Sequence, residues 1–137
     1  MNILVDANIW LDIILRRTNH FEPSAKVVSL LGRAEHTLYI CAHSITTIFY
    51  LVEKARDNST ARTALSTLLQ GTSVAAVDGS ILREALHAQL SDYEDAVLEQ
   101  AALRIGLDGI VTRNKKDFAG DQCAVYTPDE LIAALLA

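Results

Sequence analysis

The chain has 137 residues, 50% apolar and 21% charged, enough for one folded unit, residues 1–137, with its own core. Its formal net charge of −5 excludes a simple electrostatic clamp on nucleic acid, although a bound cation reverses the sign locally. No apolar run reaches the ~18 residues that span a bilayer, no basic leader precedes an apolar stretch, and Cys41 and Cys123 lack metal or disulfide spacing. A cytoplasmic protein with two reduced core cysteines is expected.

The elements alternate along the chain. Residues 2–5 (NILV) are predicted as a short buried strand, followed by a helix over 8–16. Residues 23–33 form a second helix ended by Gly32, and 37–41 (TLYIC) a second strand. Ser44 is expected to cap a long helix running to about Ala55. Residues 60–70 make a helix closed by Gly71, and 73–77 a third strand. Helices over 79–89 and 92–105, strands over 109–112 and 123–126, and a helix over 128–136 complete the pattern. Pro23 and Pro128 each fit the first turn of a helix. Short, fully apolar strands separated by helices predict an α/β fold with a parallel sheet covered on both faces.

In such folds ligands bind beyond the carboxyl ends of the strands. "LVDANIWLD", residues 4–12, puts Asp6 at such an end. "LSDYEDAVLEQAALRIG", residues 90–106, opens with Ser91 and Glu94 at capping-box spacing. Leu98, Ala101, Ala102 and Ile105 then face the core. Asp95 lies on that same face, where an apolar residue would staple to Leu90, and Asp92 is one turn earlier. The helix dipole accounts for Asp92 and Glu94 but poorly for an inward Asp95. "DGIVTRNKKDF", residues 108–118, places Thr112, Asn114 and Asp117 at the end of a later strand. A solvated loop is the plain alternative there. If the strands are parallel, Asp6, Asp95 and Asp117 meet at one edge with Asp92 close by. Unpaired, such carboxylates repel. Mg²⁺ or Mn²⁺, which take oxygen ligands, removes the conflict and suits phosphodiester hydrolysis.

Taken in order, "LVDANIWLD", "DYEDAVLEQAA" and "IVTRNKKDF" resemble the PIN domain, most closely the bacterial PIN proteins related to VapC-type toxins. The resemblance spans essentially the whole chain. It implies a three-layer α/β/α sandwich around a parallel sheet of four to five strands. It further implies an endonuclease, a hydrolase that is a Mg²⁺- or Mn²⁺-dependent ribonuclease, often a toxin restrained by an antitoxin. Carried over by position, Asp6, Asp95 and Asp117 are the metal-holding and catalytic acids, and Asp92 is an additional catalytic acid. Asn8, Thr112 and Asn114 match polar residues that orient the acids or the scissile phosphate. The chain departs from the family in the helix after the second strand. The family has an acid there, and "SITTIFYLVEK" offers Thr46 or Thr47, with Glu53 two turns too far along. That departure leaves a second reading open: a PIN-like module that binds RNA or protein without cleaving.

Further candidates remain. Arg113, Lys115 and Lys116 flank Asp117, and Arg16 and Arg17 end the first helix. Both groups would grip RNA phosphates if they rim the acids, and are otherwise solvated charges. His43 follows the second strand, near the expected rim. Phe49, Tyr50 and Leu51 cannot all face inward on one helix, so this helix is expected either to carry a face for a partner such as an antitoxin or for a second copy in a homodimer, or to pack in the core with one exposed aromatic.

Overall fold

The computed structural model describes residues 1–90, 92–118 and 122–137. The strands are β1 (Asn2–Val5), β2 (Thr37–Cys41), β3 (Ser73–Ala75), β4 (Gly109–Val111) and β5 (Val125–Tyr126). They pair in parallel in the spatial order β3-β2-β1-β4-β5. The helices are α1 (Ala7–Ile14), α2 (Phe21–Leu31), α3 (Ala42–Ala55), α4 (Asn58–Gly71), α5 (Gly79–Leu86), α6 (Tyr93–Arg104) and α7 (Pro128–Leu136).

Strand alternation assigns the faces. Ile3, Val5, Leu38, Ile40 and Val111 pack with apolar residues of α1, α2, α3, α4 and α7. Leu4, Cys41, Ala75, Ile110 and Val125 pack on the other side with α5 and α6. The sheet is thus the middle of three layers, as its unbroken apolar strands require. Cys41 and Cys123 are both buried free thiols. Between β4 and β5 the backbones and rings crowd. A side chain at Gly109 would start 2.9 Å from the Tyr126 ring, so glycine is needed there for close approach.

Because β1 sits between β2 and β4, the chain leaves its carboxyl end in one direction and returns to its other flank much later. This switch in strand order opens a crevice. Asp6 stands directly above it and caps α1.

Several boundaries differ from the sequence expectations. Ser44 is not a cap: β2 runs straight into α3 with Cys41 at the N-cap, and Ser44 lies buried inside the helix. The expected strand over 73–77 stops at Ala75, and the helix over 79–89 ends at Leu86. Gly71 is the last residue of α4, with Thr72 beyond it. Ile105 is 47% exposed, because α6 ends at Arg104 and its apolar stripe closes a turn earlier. Ser91 lies outside the described residues.

Candidate functional site

Asp6 is held by its own backbone and by β4. Its N–H donates to the Val111 carbonyl at 3.0 Å, extending the ladder one residue past the strands. Its Oδ1 accepts from the Ala7 N–H at 2.7 Å. Its Oδ2 accepts from the Thr112 hydroxyl at 2.8 Å and, more weakly, from the Asn8 amide at 3.4 Å. Asn8 also donates to Thr112 Oγ1 at 3.3 Å, while the Asn114 N–H donates to that same hydroxyl at 3.1 Å. Asp6, Asn8, Thr112 and Asn114 therefore form one hydrogen-bonded unit joining the ends of β1 and β4. The donors to the Asp6 carboxylate, the Ala7 N–H, the Thr112 hydroxyl and the Asn8 amide, are all neutral. Burial pushes its carboxyl pKa up, the Thr112 and Ala7 bonds oppose that, and Glu94 adds to it.

The helical acids come from the start of α6. Asp92 is the N-cap, its Oδ1 accepting from the Asp95 N–H at 3.1 Å. That moves the cap one residue beyond the sequence expectation and places Asp95 in the first turn. Asp95 is half-buried and faces the crevice. Its pKa is pushed up to about 7, first by burial and then by Asp6, Asp92, Asp117 and Glu94. Asp117 arrives from a 3₁₀ turn, Lys115–Asp117, behind β4.

One recess of about 270 Å³ is lined by Asp6, Asn8, Asn114 and Asp117 from the ends of β1 and β4 and by Asp92, Glu94 and Asp95 from the start of α6. Leu11, Leu51 and Arg17 complete it. All the acids expected from the sequence are brought to this edge. Glu94 is an addition: with the capping role taken by Asp92, its carboxylate is left to the recess. The signal in the sequence was the density of acids in a single helical turn, more than capping needs. Thr46 and Thr47 do not line the recess; the Thr46 hydroxyl donates to the His43 carbonyl at 3.2 Å. Glu53 is exposed and accepts from Asn58 at 2.7 Å.

His43 lies close to these acids. Its Nδ1 is 3.0 Å from the Cys41 sulfur. Burial lowers the imidazole pKa, and Glu94 and Asp6 pull it back up. Burial also pushes the Cys41 thiol up to about 11, so it stays protonated and unreactive.

A second acid escaped the sequence analysis. Asp12 is fully buried on α1. Its Oδ2 accepts from Arg113 Nε at 2.7 Å and from the Ser24 hydroxyl at 3.0 Å. Arg17 lies 3.7 Å from its Oδ1. Arg113 is thereby drawn inward, and Lys115 is bound to Glu130 at 2.8 Å. Neither lines the recess; Arg17 does.

The donor set suits a hard divalent cation: carboxylates and amide oxygens, with no thiolate or imidazole on the walls. Among the described residues no group of three or more His, Cys, Asp and Glu side chains is placed to hold a metal ion as it stands. A separate apolar recess of about 640 Å³ lies between α1, α2 and α4, lined by Trp10, Ile13, Ile14, Val28 and Leu68 among others. Trp10 Nε1 is buried with no hydrogen-bond partner. Among the described residues no helix is long and apolar enough to cross a membrane.

A family model described as "PIN domain" matches residues 2–116. No curated protein matches. Solved structures with the same fold include a toxin-antitoxin complex from Klebsiella pneumoniae, at 23% identity, TM-score 0.70, and 92% of this chain against 97% of that one. VapBC2 from Rickettsia felis, bound to a DNA fragment from its promoter, matches at 17% identity and TM-score 0.69, covering 93% and 98%. VapC20 from Mycobacterium tuberculosis, a Sarcin-Ricin loop cleaving toxin, matches at 14% identity and TM-score 0.65, covering 96% and 94%.

Proposed function

Since the chain belongs to the PIN domain family, we propose that it is a metal-dependent endoribonuclease, the toxin of a type II toxin–antitoxin module. The observation that carries the reading is the convergence of Asp6, Asp95 and Asp117, from three separate segments of the chain, on one recess at the switch in strand order. Asp6, Asp95 and Asp117 would hold Mg²⁺ or Mn²⁺, with Asp92 and Glu94 at hand. Such a cation supplies Lewis-acid polarisation of a phosphate and a water acidic enough to attack it near neutral pH.

The residues of the chain do the rest. Thr112 and Asn8 fix the Asp6 carboxylate through neutral hydrogen bonds, which orient it without cancelling its charge. Asn114, tied to Thr112 through its N–H, keeps its side chain for a phosphate oxygen. Asp95, raised to about 7, would lose its proton readily to solvent near neutral pH, leaving a carboxylate for a cation. Leu11 and Leu51 make the recess floor apolar, which strengthens every charge interaction above it.

The test is cleavage of RNA with Mn²⁺ or Mg²⁺. Asp6→Asn is expected to lower the rate by on the order of 10²-fold or more. Equal cleavage by both proteins would end the catalytic claim.

The same acids, not placed to hold an ion as they stand, favour a second reading strongly enough to be tested: a PIN-like module that binds RNA or protein without cleaving. Titration calorimetry decides. A folded protein with no measurable Mn²⁺ affinity that retains RNA binding supports the module, whereas Mn²⁺ binding lost in Asp95→Asn supports the nuclease.

For a partner we propose an antitoxin, since several solved structures of this fold are toxin–antitoxin complexes. The apolar recess between α1, α2 and α4 fits one amphipathic helix of such a protein. Tyr50 on α3, 59% exposed, is the aromatic available to a second copy of the chain.

A further inference from the structure

The recess has a charge problem that a divalent ion solves only in part. Its walls carry Asp6, Asp92, Glu94, Asp95 and Asp117, and an RNA strand adds a phosphate at every nucleotide. Among the described residues lining it, Arg17 is the one cation. Of the other basic residues near the loop behind β4 and the end of α1, three are committed elsewhere, and Lys116, exposed beside Asp117, does not line the recess. Arg113 donates to buried Asp12 at 2.7 Å. Lys115 donates to both oxygens of Glu130, at 3.0 and 2.8 Å. Arg16 lies over the Phe21 ring, 5.1 Å from its centroid.

Arg17 is put in place by a specific turn. The Arg17 N–H donates to the Asp12 carbonyl at 3.0 Å, and the Arg16 N–H to the Ile13 carbonyl at 3.4 Å. Arg16 between them is left-handed, with φ 50°. This pair of bonds closes α1 in the manner of a Schellman turn and folds Arg17 back toward the carboxyl end of β1. Its guanidinium then stands 3.7 Å from Asp12 Oδ1, close enough for attraction and too far for a hydrogen bond. That oxygen is buried and has no hydrogen-bond partner. Asp12 therefore anchors the direction of Arg17 without consuming its donors, and the side chain is 36% exposed.

We propose that Arg17 is the residue that grips an RNA phosphate at the mouth of the acidic recess, with Asp12 as the positioning residue behind it. The inference rests on the nuclease reading for its substrate class. A guanidinium suits the task because its fork of N–H donors matches two phosphate oxygens at once, and because it stays charged at every relevant pH.

The experiment measures binding of a fluorescein-labelled single-stranded RNA of random sequence to the full chain carrying Asp6→Asn, across a salt series. Adding Arg17→Ala is expected to weaken binding about tenfold and to reduce the slope of log affinity against log salt by about 0.7, one phosphate contact. Mn²⁺ affinity by calorimetry, measured without RNA in chains that keep Asp6, should stay within twofold of wild type in Arg17→Ala, and exposed Arg33→Ala should move neither quantity. If Arg17→Ala does not fold, Arg17→Lys and Arg17→Gln replace it, with lysine expected to keep the slope and glutamine to lose it. Unchanged RNA affinity and slope, or lysine and glutamine behaving alike, overturns the proposal. So does a loss of Mn²⁺ affinity and thermal stability that matches the loss of RNA binding, since that marks a structural role. Cleavage by the wild type with Arg17→Ala indifferent removes this inference and leaves the nuclease. RNA binding that depends on Arg17 in a chain unable to cleave does the reverse.

Discussion

Asp6 and Asp12 lie six residues apart and are nearly inaccessible, at 8% and 0% exposure. Their surroundings are opposite. Asp12 has Arg113 at 2.7 Å, Arg17 at 3.7 Å and the Ser24 hydroxyl. Asp6 has the hydroxyl of Thr112, the amide of Asn8 and a backbone N–H, and it shares the recess with further carboxylates. Burial alone does not separate a structural acid from a functional one; the charge of the partners does. Asp12 has its charge met within the fold by Arg113 and Arg17. Asp6 is oriented by neutral donors, with no cation bonded to it, and the proposed divalent ion would supply that positive charge.

The comparison breaks most visibly at Asp12. Asp12→Asn keeps the shape and removes the charge, leaving Arg113 and Arg17 facing a neutral amide. Breaking a buried pair from one side costs about 3–5 kcal/mol, and the partial exposure of both arginines puts this case near the lower end. The expected midpoint falls by roughly 10 °C. Asp6→Asn, which relieves an uncompensated buried charge, should stay within about 1 kcal/mol of wild type or exceed it. Urea denaturation of both variants checks this, and equal losses would erase the distinction drawn here.

The next effect is on pH. The Asp95 carboxyl binds its proton up to about pH 7 when folded, against the ordinary 3.8. Between those values the folded state holds a proton that the unfolded state has released, so stability must fall as pH rises through that window. Asp6 is shifted in the same direction. His43, whose pKa is lowered, works the opposite way below its ordinary 6.5, so the informative quantity is the difference between wild type and Asp95→Asn. With EDTA present, the variant should gain on wild type between pH 5 and pH 8 by about 1–2 kcal/mol, a figure discounted for the half-exposed carboxyl. Saturating Mn²⁺ should reverse the trend in wild type, because the ion binds the ionised form. A wild-type curve parallel to the variant's would refute the electrostatic account of the recess.

Glu94, which lines the same recess from α6, sharpens the comparison. If the uncompensated charge of the recess is shared, Glu94→Gln should weaken Mn²⁺ binding about tenfold, while Glu53→Gln on α3 should leave it unchanged. Calorimetry reads both. Equal affinities for Glu94→Gln and wild type would confine the ion to Asp6, Asp95 and Asp117.

The sequence made much of this legible for a physical reason. Unbroken apolar strands of four or five residues can only be interior, and an Asp following one is conspicuous, so Asp6 and the strand-end Thr112 stood out. Asp95 stood out because it occupied an apolar position of the helix. Asp12 did not, since nothing in "WLD" reveals that an arginine 101 residues later will close on it. Glu94 was misassigned because Ser91 and Asp92 offer competing caps one residue apart, and the winner decides whether Glu94 caps or faces the recess. The basic residues were the least legible of all: Arg113, Lys115 and Arg17 look alike as sequence, and only tertiary pairing separates the committed from the available.

The smallest effect concerns the turn that delivers Arg17. Helices α1 and α6 end in the same hydrogen-bond pattern. In α6 the Leu107 N–H donates to the Ala102 carbonyl at 3.1 Å, and the left-handed position is Gly106, φ 65°. In α1 that position is Arg16, φ 50°, where a side chain costs about 1 kcal/mol. Arg16 recovers part of this by lying over Phe21, a contact worth about 0.5 kcal/mol at an exposed site. Arg16→Gly should therefore stabilise by no more than about 0.5 kcal/mol in wild type, and by nearer 1 kcal/mol in a Phe21→Leu background, where the ring contact is already gone. RNA affinity should be retained in both, because the turn itself persists. Chemical denaturation of the four proteins measures the cycle. A destabilised Arg16→Gly in the Phe21→Leu background would mean that the left-handed arginine is held by something other than the turn, and that Asp12 and the turn are not sufficient to aim Arg17.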